Sequence, residues 1–263
     1  LVENGCKEIT LIGQTVNSYG LSKYDKAKKT FEFLAREKSK KEPFVYLSEE
    51  LDKLSAKGLK RVRFTSSHPK DMSDQLINAM ATLKTQMPSL HLPLQSGDDR
   101  TLKRMNRTYT TAQYRKIIQK LRKSIPDISI STDIIVGFCG ETDEEFENTC
   151  KFFDEIGFEH AYLAQYSRRA GTTAARFMKD NVPEKVKNKR WHKLNDILLK
   201  AKSKKAHERF LDRTVSVLVE SQKGKTCLGR SEHFKIVQFA STSGRKLLGK
   251  IVPVRITKAM EWM

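Results

Sequence analysis

Five polar clusters carry the residue types that chemistry needs, and each follows a β-forming run: GQTVNSYG (13–20), TSSHPKD (65–71), LQSGDD (94–99), GFCGET (137–142) and QYSRRAGT (165–172). What they offer is ligand binding. A turn with Gly137 and Gly140 lets backbone approach a ligand closely, and Glu141 can accept from a hydroxyl or amine. Equally, Asp133 can be a polar residue satisfied inside the fold, and Glu141 can favour the N-terminal dipole of the helix that follows. Arg104 and Arg107 are able to clamp a carboxylate or phosphate, and equally read as exposed helix arginines with no role. Metal chemistry has no support in the spacing. Cys6, Cys139, Cys150 and Cys227 include no close pair, and His68, His91, His160, His192, His207 and His233 lack the i, i+4 pairing of a zinc helix. The cysteines read as reduced and mostly buried thiols of a cytoplasmic protein. His68 and His91 fall at a strand end or within a strand, where a substrate-facing role is open.

The elements that must position these residues alternate. KEITLIG (7–13), LKRVRFTS (59–66), LHLPLQ (90–95), ISISTDIIVGF (128–138) and FEHAYLAQYS (158–167) read as strands. Helical patterns lie at 47–58, 73–87, 98–105, 111–124 and from Thr142, where T-x-x-E forms a capping box. Strands separated by helices predict an α/β fold with a parallel sheet, either doubly wound or rolled into a barrel. No G-x-G-x-x-G follows the first strand, which disfavours a dinucleotide fold. In both architectures ligands sit at the C-terminal ends of the strands, where the five polar clusters fall. A long basic helix from about Pro183 to Phe210 then leads into short alternating strands that predict a small antiparallel β-barrel of about 50 residues. The expected division is 1–182, a connecting helix 183–211, and 212–263.

The 263 residues suffice for one large domain of roughly 200 residues with a small one appended. The net charge is +19, which points to a polyanionic partner. Residues 185–263 hold 20 Lys/Arg against 6 Asp/Glu, a net of +14, so the excess lies in the C-terminal third and favours nucleic-acid backbone contact. No apolar run approaches the ~20 residues of a membrane span, and no signal peptide is readable. Lys23 to Lys41 look like a surface insertion. LVENG reads as the last turn of a helix stopped by Gly5, which suggests a fragment.

LIGQTVNSYG (11–20), FTSSHPKDMSDQLI (64–77), HLPLQSGDDRTLKRMNRTY (91–109), STDIIVGFCGETDEEFE (131–147) and QYSRRAGTTAA (165–175) resemble, in order, the radical-SAM methylthiotransferases, and the first two look most like the tRNA branch. The tail from 214 is similar to the TRAM RNA-binding module that ends those proteins. The resemblance implies a partial radical-SAM (βα) barrel followed by a TRAM-like β-barrel. It implies S-adenosylmethionine (SAM) and 4Fe–4S clusters as cofactors, tRNA as partner, and a methylthio group added to C2 of an isopentenylated adenosine beside the anticodon. It names no sulfur donor. In that family a C-x-x-x-C-x-x-C loop leaves one iron open for SAM, which is cleaved to a deoxyadenosyl radical. No such loop is present in this sequence, so the expectation is a fragment that is inactive alone.

By the same resemblance Gln14 falls where the SAM amino-acid end is read, Gln95 and Ser96 where ribose contacts arise, and Thr132, Asp133, Gly137 and Glu141 at the next strand end; Arg107 joins them as a cofactor contact on its residue type alone. Gln14 and Gln95 also read as plain turn residues. Cys139 stands where the family usually has Pro, which loosens that turn. In the tail, Lys223, Lys225, Arg230, Lys235, Arg245 and Lys246 fall in turns or at strand ends where a phosphate backbone is reachable. Phe234 and Phe239 read as core or as base-stacking rings, and Trp191 and Trp262 as packing. The competing reading is a non-catalytic RNA-binding protein that keeps a degenerate SAM barrel.

Overall fold

A period-two pattern runs through SISTDIIV: Ile130, Thr132, Ile134 and Val136 are buried, while Ser131, Asp133 and Ile135 between them are half-buried. Such alternation sends successive side chains to opposite faces of a strand, and this strand is the spine of the larger part of the molecule. The computed structural model describes residues 1–21, 24–25, 30–31, 41–241 and 245–259, without the side chains of 24–25, 30–31 and 203–205. Most of the expected insertion, and Trp262, lie outside the described residues.

The chain opens on a 3₁₀ turn, Val2–Asn4, stopped by Gly5 at φ 91°. It continues through β1 (Glu8–Leu11), a two-strand ribbon of β2 (Tyr24–Asp25) and β3 (Thr30–Phe31), α1 (Pro43–Lys53), β4 (Arg61–Phe64), α2 (Asp74–Thr82) and β5 (Ser89–His91). Then come α3 (Asp99–Arg104), α4 (Thr111–Ser124), β6 (Ser129–Val136), α5 (Asp143–Ile156), β7 (His160–Gln165) and α6 (Thr173–Phe177). The helix α7 (Glu184–Phe210) leads to β8 (Thr214–Lys223), β9 (Thr226–Ser231), β10 (Ile236–Ala240) and β11 (Ile251–Arg255).

β1 pairs in parallel with β4, and β5, β6 and β7 form a parallel sheet in chain order. The two pieces meet where Val62 donates to the Thr85 carbonyl (2.7 Å) and accepts from Met87 (3.0 Å). The five strands expected from the sequence are thus present and parallel, but they do not close into a barrel among the described residues. The helices cover one face, where the largest core buries Leu92, Leu94, Ile130, Ile134, Tyr114, Phe153 and Phe158. Capping boxes start α4 (Thr110 with Gln113) and α5 (Thr142 with Glu145), each satisfying two orphan N–H groups of a first turn.

The C-terminal strands form one antiparallel sheet, in the order β10-β9-β8-β11. Its core is Val215, Val217 and Val237, flanked by Phe210, Phe239, Val254 and Ile256. Gly229 is required where β9 crosses β8, since a Cβ there would lie 2.1 Å from the Leu218 carbonyl oxygen. The expected small barrel is, in the described residues, an open four-stranded sheet whose edge strands β10 and β11 do not pair.

This sheet is tied to the parallel strands by charged side chains. Arg61 is 4% exposed and donates to the backbone carbonyls of Arg230 (2.9 Å) and Ser216 (2.6 Å). Arg63 lies 3.5 Å over the Phe234 ring, and Asp127 joins His233 (2.7 Å) to Arg209 (2.8 Å). Among the described residues no helix is long and apolar enough to cross a membrane.

Candidate functional site

Past its last regular residue, β5 stays in register with β6. The Gln95 N–H donates to Asp133 O (2.8 Å), and the Gln95 carbonyl accepts from Ile135 (2.9 Å). Gln95 holds φ at 71°, a left-handed conformation that side chains other than glycine seldom adopt, and these two bonds fix it there. Ser96 is fully buried. Its hydroxyl contacts Thr149 Oγ1 (3.2 Å) and accepts the Asp98 N–H (3.3 Å), so it ties the loop to α5. Thr132 is equally buried on the helix-facing side of β6, where its Oγ1 accepts the Leu94 N–H (2.8 Å). Asp133, one residue on, points to the other face, with 35% of its side chain exposed.

The GFCGE turn after β6 is held from α7. Glu141, 1% exposed, accepts from the Gly137 N–H (2.7 Å) and pairs with Arg190 Nη1 (2.7 Å). Burial pushes its carboxyl above the usual range, while Gly137 and Arg190 pull against that shift. Gly137 sits at φ 71°, and a Cβ there would lie 2.3 Å from Lys187 Cγ. The close approach that glycine permits is therefore used by Lys187, whose Nζ pairs with Asp180 (2.7 Å). Cys139 is buried in this turn.

Around the same end, Gln14 is exposed in the loop after β1. Asn17 and His68 exchange hydrogen bonds: the Asn17 amide donates to His68 O (3.0 Å) and its carbonyl accepts the His68 N–H (2.7 Å). His68 stands edge-on to Tyr109 (5.5 Å), whose hydroxyl donates to Leu94 O (3.0 Å). Burial lowers the His68 imidazole, with Asp71 opposing and Arg107 adding to the shift. The Arg107 Nε is buried without a hydrogen-bond partner among the described residues.

On the face opposite the helices, Ser131 and Asp133 project beside β5 and β7. His91 Nδ1 is 3.0 Å from Ser131 Oγ and its Nε2 is 3.3 Å from Asp133 Oδ1. A cavity of about 460 Å³ lies against this face, lined from the parallel strands by Arg63, His91, Asp133 and Tyr162 and from the C-terminal sheet by Phe234 and Lys235. Ser131, Tyr162 and Arg63 were not among the sequence-predicted residues. The signal was the alternation itself, which separates Asp133 and Ser131 from Thr132.

The six basic residues expected to meet RNA divide into two groups. Lys223, Lys225, Arg245 and Lys246 are exposed, and Gln222 ties their two loops together through Arg245 O (3.0 Å) and the Leu247 N–H (2.7 Å). Arg230 instead pairs with Glu220 and lies 4.8 Å from the Phe234 ring, while Lys235 points inward to Glu159 (3.2 Å). Phe239 belongs to the small core, and Trp191 packs on the large one while donating to Leu163 O (2.9 Å).

A model of the Radical SAM superfamily matches residues 1–153, and the chain belongs to that superfamily. Over 265 aligned residues the whole chain is 42% identical to the tRNA-2-methylthio-N(6)-dimethylallyladenosine synthase of Acetivibrio thermocellus, covering 51% of that protein. The synthase of the same name from Staphylococcus haemolyticus is also 42% identical over the whole chain, which covers 48% of it. The chain thus spans about half the length of the curated relatives it matches. Coproporphyrinogen III oxidase (HemN) of Escherichia coli, a radical SAM enzyme, superposes with a TM-score of 0.50 at 16% identity, over 60% of this chain and 37% of that one, a likeness of fold alone.

The residues in hand do not fit an iron–sulfur cluster. Cys139, Cys150 and Cys227 are buried in separate elements, and burial pushes the Cys150 thiol up to about 11, the reverse of a ligating thiolate. Among the described residues no three His, Cys, Asp or Glu side chains are grouped to hold a metal.

Proposed function

We propose that this chain is the SAM-binding and RNA-binding part of a tRNA methylthiotransferase acting on C2 of an N6-isopentenylated adenosine beside the anticodon, in the cytoplasm. The observation that carries the reading is the 42% identity to synthases of that name along the entire chain, C-terminal sheet included. SAM beside a 4Fe–4S cluster supplies radical chemistry for a purine C–H that acid–base chemistry does not activate, and this chain's own share is binding and positioning.

In this reading Gln14, Gln95, Arg107 and Asp133 face SAM at the strand ends, with the Gly137 backbone beside them. The unpartnered buried Arg107 Nε supports this, because an arginine with a free donor suits a carboxylate. Ser96, Thr132 and Glu141 act one step back: their polar atoms are committed to Thr149, Leu94 and Arg190, and they hold the strand ends in place. The parallel strands are then part of a (βα) barrel, residues 1–182, and α7 is the connection. Residues 212–263 are a TRAM-like module that meets the tRNA backbone through Lys223, Lys225, Arg245 and Lys246.

The test is nucleoside analysis of total tRNA by mass spectrometry after disruption of the coding gene. The methylthiolated adenosine disappears and its isopentenylated precursor accumulates; an unchanged nucleoside profile overturns the reading.

A further inference from the structure

The strand register brings three polar side chains into line on the inward face of the parallel sheet. His91 stands directly opposite Ser131, and Asp133 lies two residues further along β6, so all three project from the same side. The pairing is held by the Leu92 N–H, which donates to Ser131 O (2.8 Å). His91 Nδ1 is 3.0 Å from Ser131 Oγ, and its Nε2 is 3.3 Å from Asp133 Oδ1. The Tyr162 ring, opposite Asp133 on β7, stands edge-on to the imidazole at 5.8 Å and packs against it.

This arrangement leaves one assignment of protons. An ionised carboxylate only accepts, so the nitrogen facing Asp133 carries a proton, and in the neutral ring Nδ1 is then an acceptor. The Ser131 hydroxyl must donate to it. The polarity runs in one direction, from Ser131 Oγ–H to Nδ1 and from Nε2–H toward Asp133 Oδ1. At the end of this chain Asp133 Oδ2 accepts from no described residue. The His91 side chain is 17% exposed and that of Asp133 35%, so the acid reaches the cavity and the imidazole stands behind it. An acid held by one oxygen presents the other in a fixed direction, its rotamer freedom already lost before a ligand binds. We infer that His91 is a positioning residue for SAM, which rests on the reading of Asp133 proposed above. Acting through Asp133, it aims Oδ2 at a hydroxyl or ammonium of the ligand, and Ser131 sets the tautomer that lets it do so.

The experiment joins proton–nitrogen NMR of the imidazoles to SAM titration of the full chain by calorimetry. Spectra at about pH 8.5, where an unperturbed imidazole is neutral, are expected to show His91, assigned through His91→Gln, protonated on Nε2; protonation on Nδ1 overturns the inference. The two amide substitutions then separate positioning from packing. The Gln side chain sets its nitrogen where Nε2 stands and still donates to Asp133, whereas the shorter Asn reaches only the place of Nδ1. His91→Asn is therefore expected to weaken SAM binding about tenfold and His91→Gln to stay within about twofold of the parent. The double variant His91→Asn with Asp133→Asn should bind no more weakly than Asp133→Asn alone. If Asp133→Asn weakens binding while His91→Asn and His91→Gln behave alike, the inference falls and the reading of Asp133 stands. If the parent does not saturate with SAM, or Asp133→Asn binds it unchanged, that reading falls and the inference with it. Should His91→Asn fail to fold, the parent decides: SAM at saturation is expected to shift the His91 Nε2 resonance, and an unmoved resonance overturns the inference.

Discussion

Glu141 is a residue whose part in the molecule depends on a partner 49 positions away. Read along the chain, it offers an acceptor for a ligand or a favourable charge at the start of α5. In the structure it is nearly inaccessible and closed onto Arg190 and the Gly137 N–H. Removing one member of a buried ion pair leaves a desolvated charge without compensation. Arg190→Met is therefore expected to destabilise the chain by about 3–5 kcal/mol, and the double variant Glu141→Gln with Arg190→Met to recover part of that. Urea unfolding of the three proteins measures it. Equal destabilisation by the single and double variants would show that the pair is not the source. Local sequence reveals the glycine turn and its acid, because turn chemistry is local. It does not reveal Lys187 and Arg190, which reach the turn only because α7 folds back along α5 and β7.

At the scale of elements, period and caps were legible and faces were not. The capping box at Thr142, the span 111–124 and the long helix ending at Phe210 all appear where pattern and cap residues place them. The strands agree too, because β-forming runs bounded by polar clusters are local signals. What sequence reading blurred was the division of β6 into two faces, so that Thr132 and Asp133 were grouped together. Strand geometry sends them to opposite sides, and two substitutions separate their roles. Thr132→Val leaves the Leu94 N–H buried without an acceptor and is expected to destabilise by about 1–3 kcal/mol, with SAM affinity unchanged once folded. Asp133→Asn is expected to change stability little and to weaken SAM binding. Chemical denaturation paired with SAM titration of both variants checks the division; a loss of SAM affinity in Thr132→Val at intact stability would contradict it.

At the scale of the whole molecule, the C-terminal sheet is a docked body, and its basic residues do two different jobs. His160 lies at this junction and is pushed down to about 4 by burial, with Lys202, Lys235 and His91 adding to the shift. The unfolded chain takes up that proton near its ordinary value of 6.5, so between 6.5 and 4 it binds more protons than the folded chain. The contribution is complete above 6.5 and is lost as pH falls through this window. Thermal unfolding of His160→Gln is accordingly expected to lose fewer degrees between pH 7.5 and 4.5 than the parent; parallel losses would remove His160 as the cause. The surface shows the complementary behaviour. Lys223, Lys225, Arg245 and Lys246 are exposed on two loops joined through Gln222; under the function proposed above, reversing them to Glu removes phosphate contacts without touching the docking. Each phosphate contact contributes about 0.7–0.9 to the slope of log affinity against log salt. The fourfold reversal should thus flatten the tRNA-binding slope by about 3 at unchanged thermal stability. Lys235→Glu sets a second carboxylate beside Glu159 and is expected to do the opposite, lowering stability while leaving the slope within about one contact of the parent. Filter binding at several salt concentrations, alongside melting curves, distinguishes the two. A slope that falls with Lys235→Glu but not with the fourfold reversal would move the RNA contact from the exposed loops to the junction, where net charge alone does not separate surface cations from docked ones.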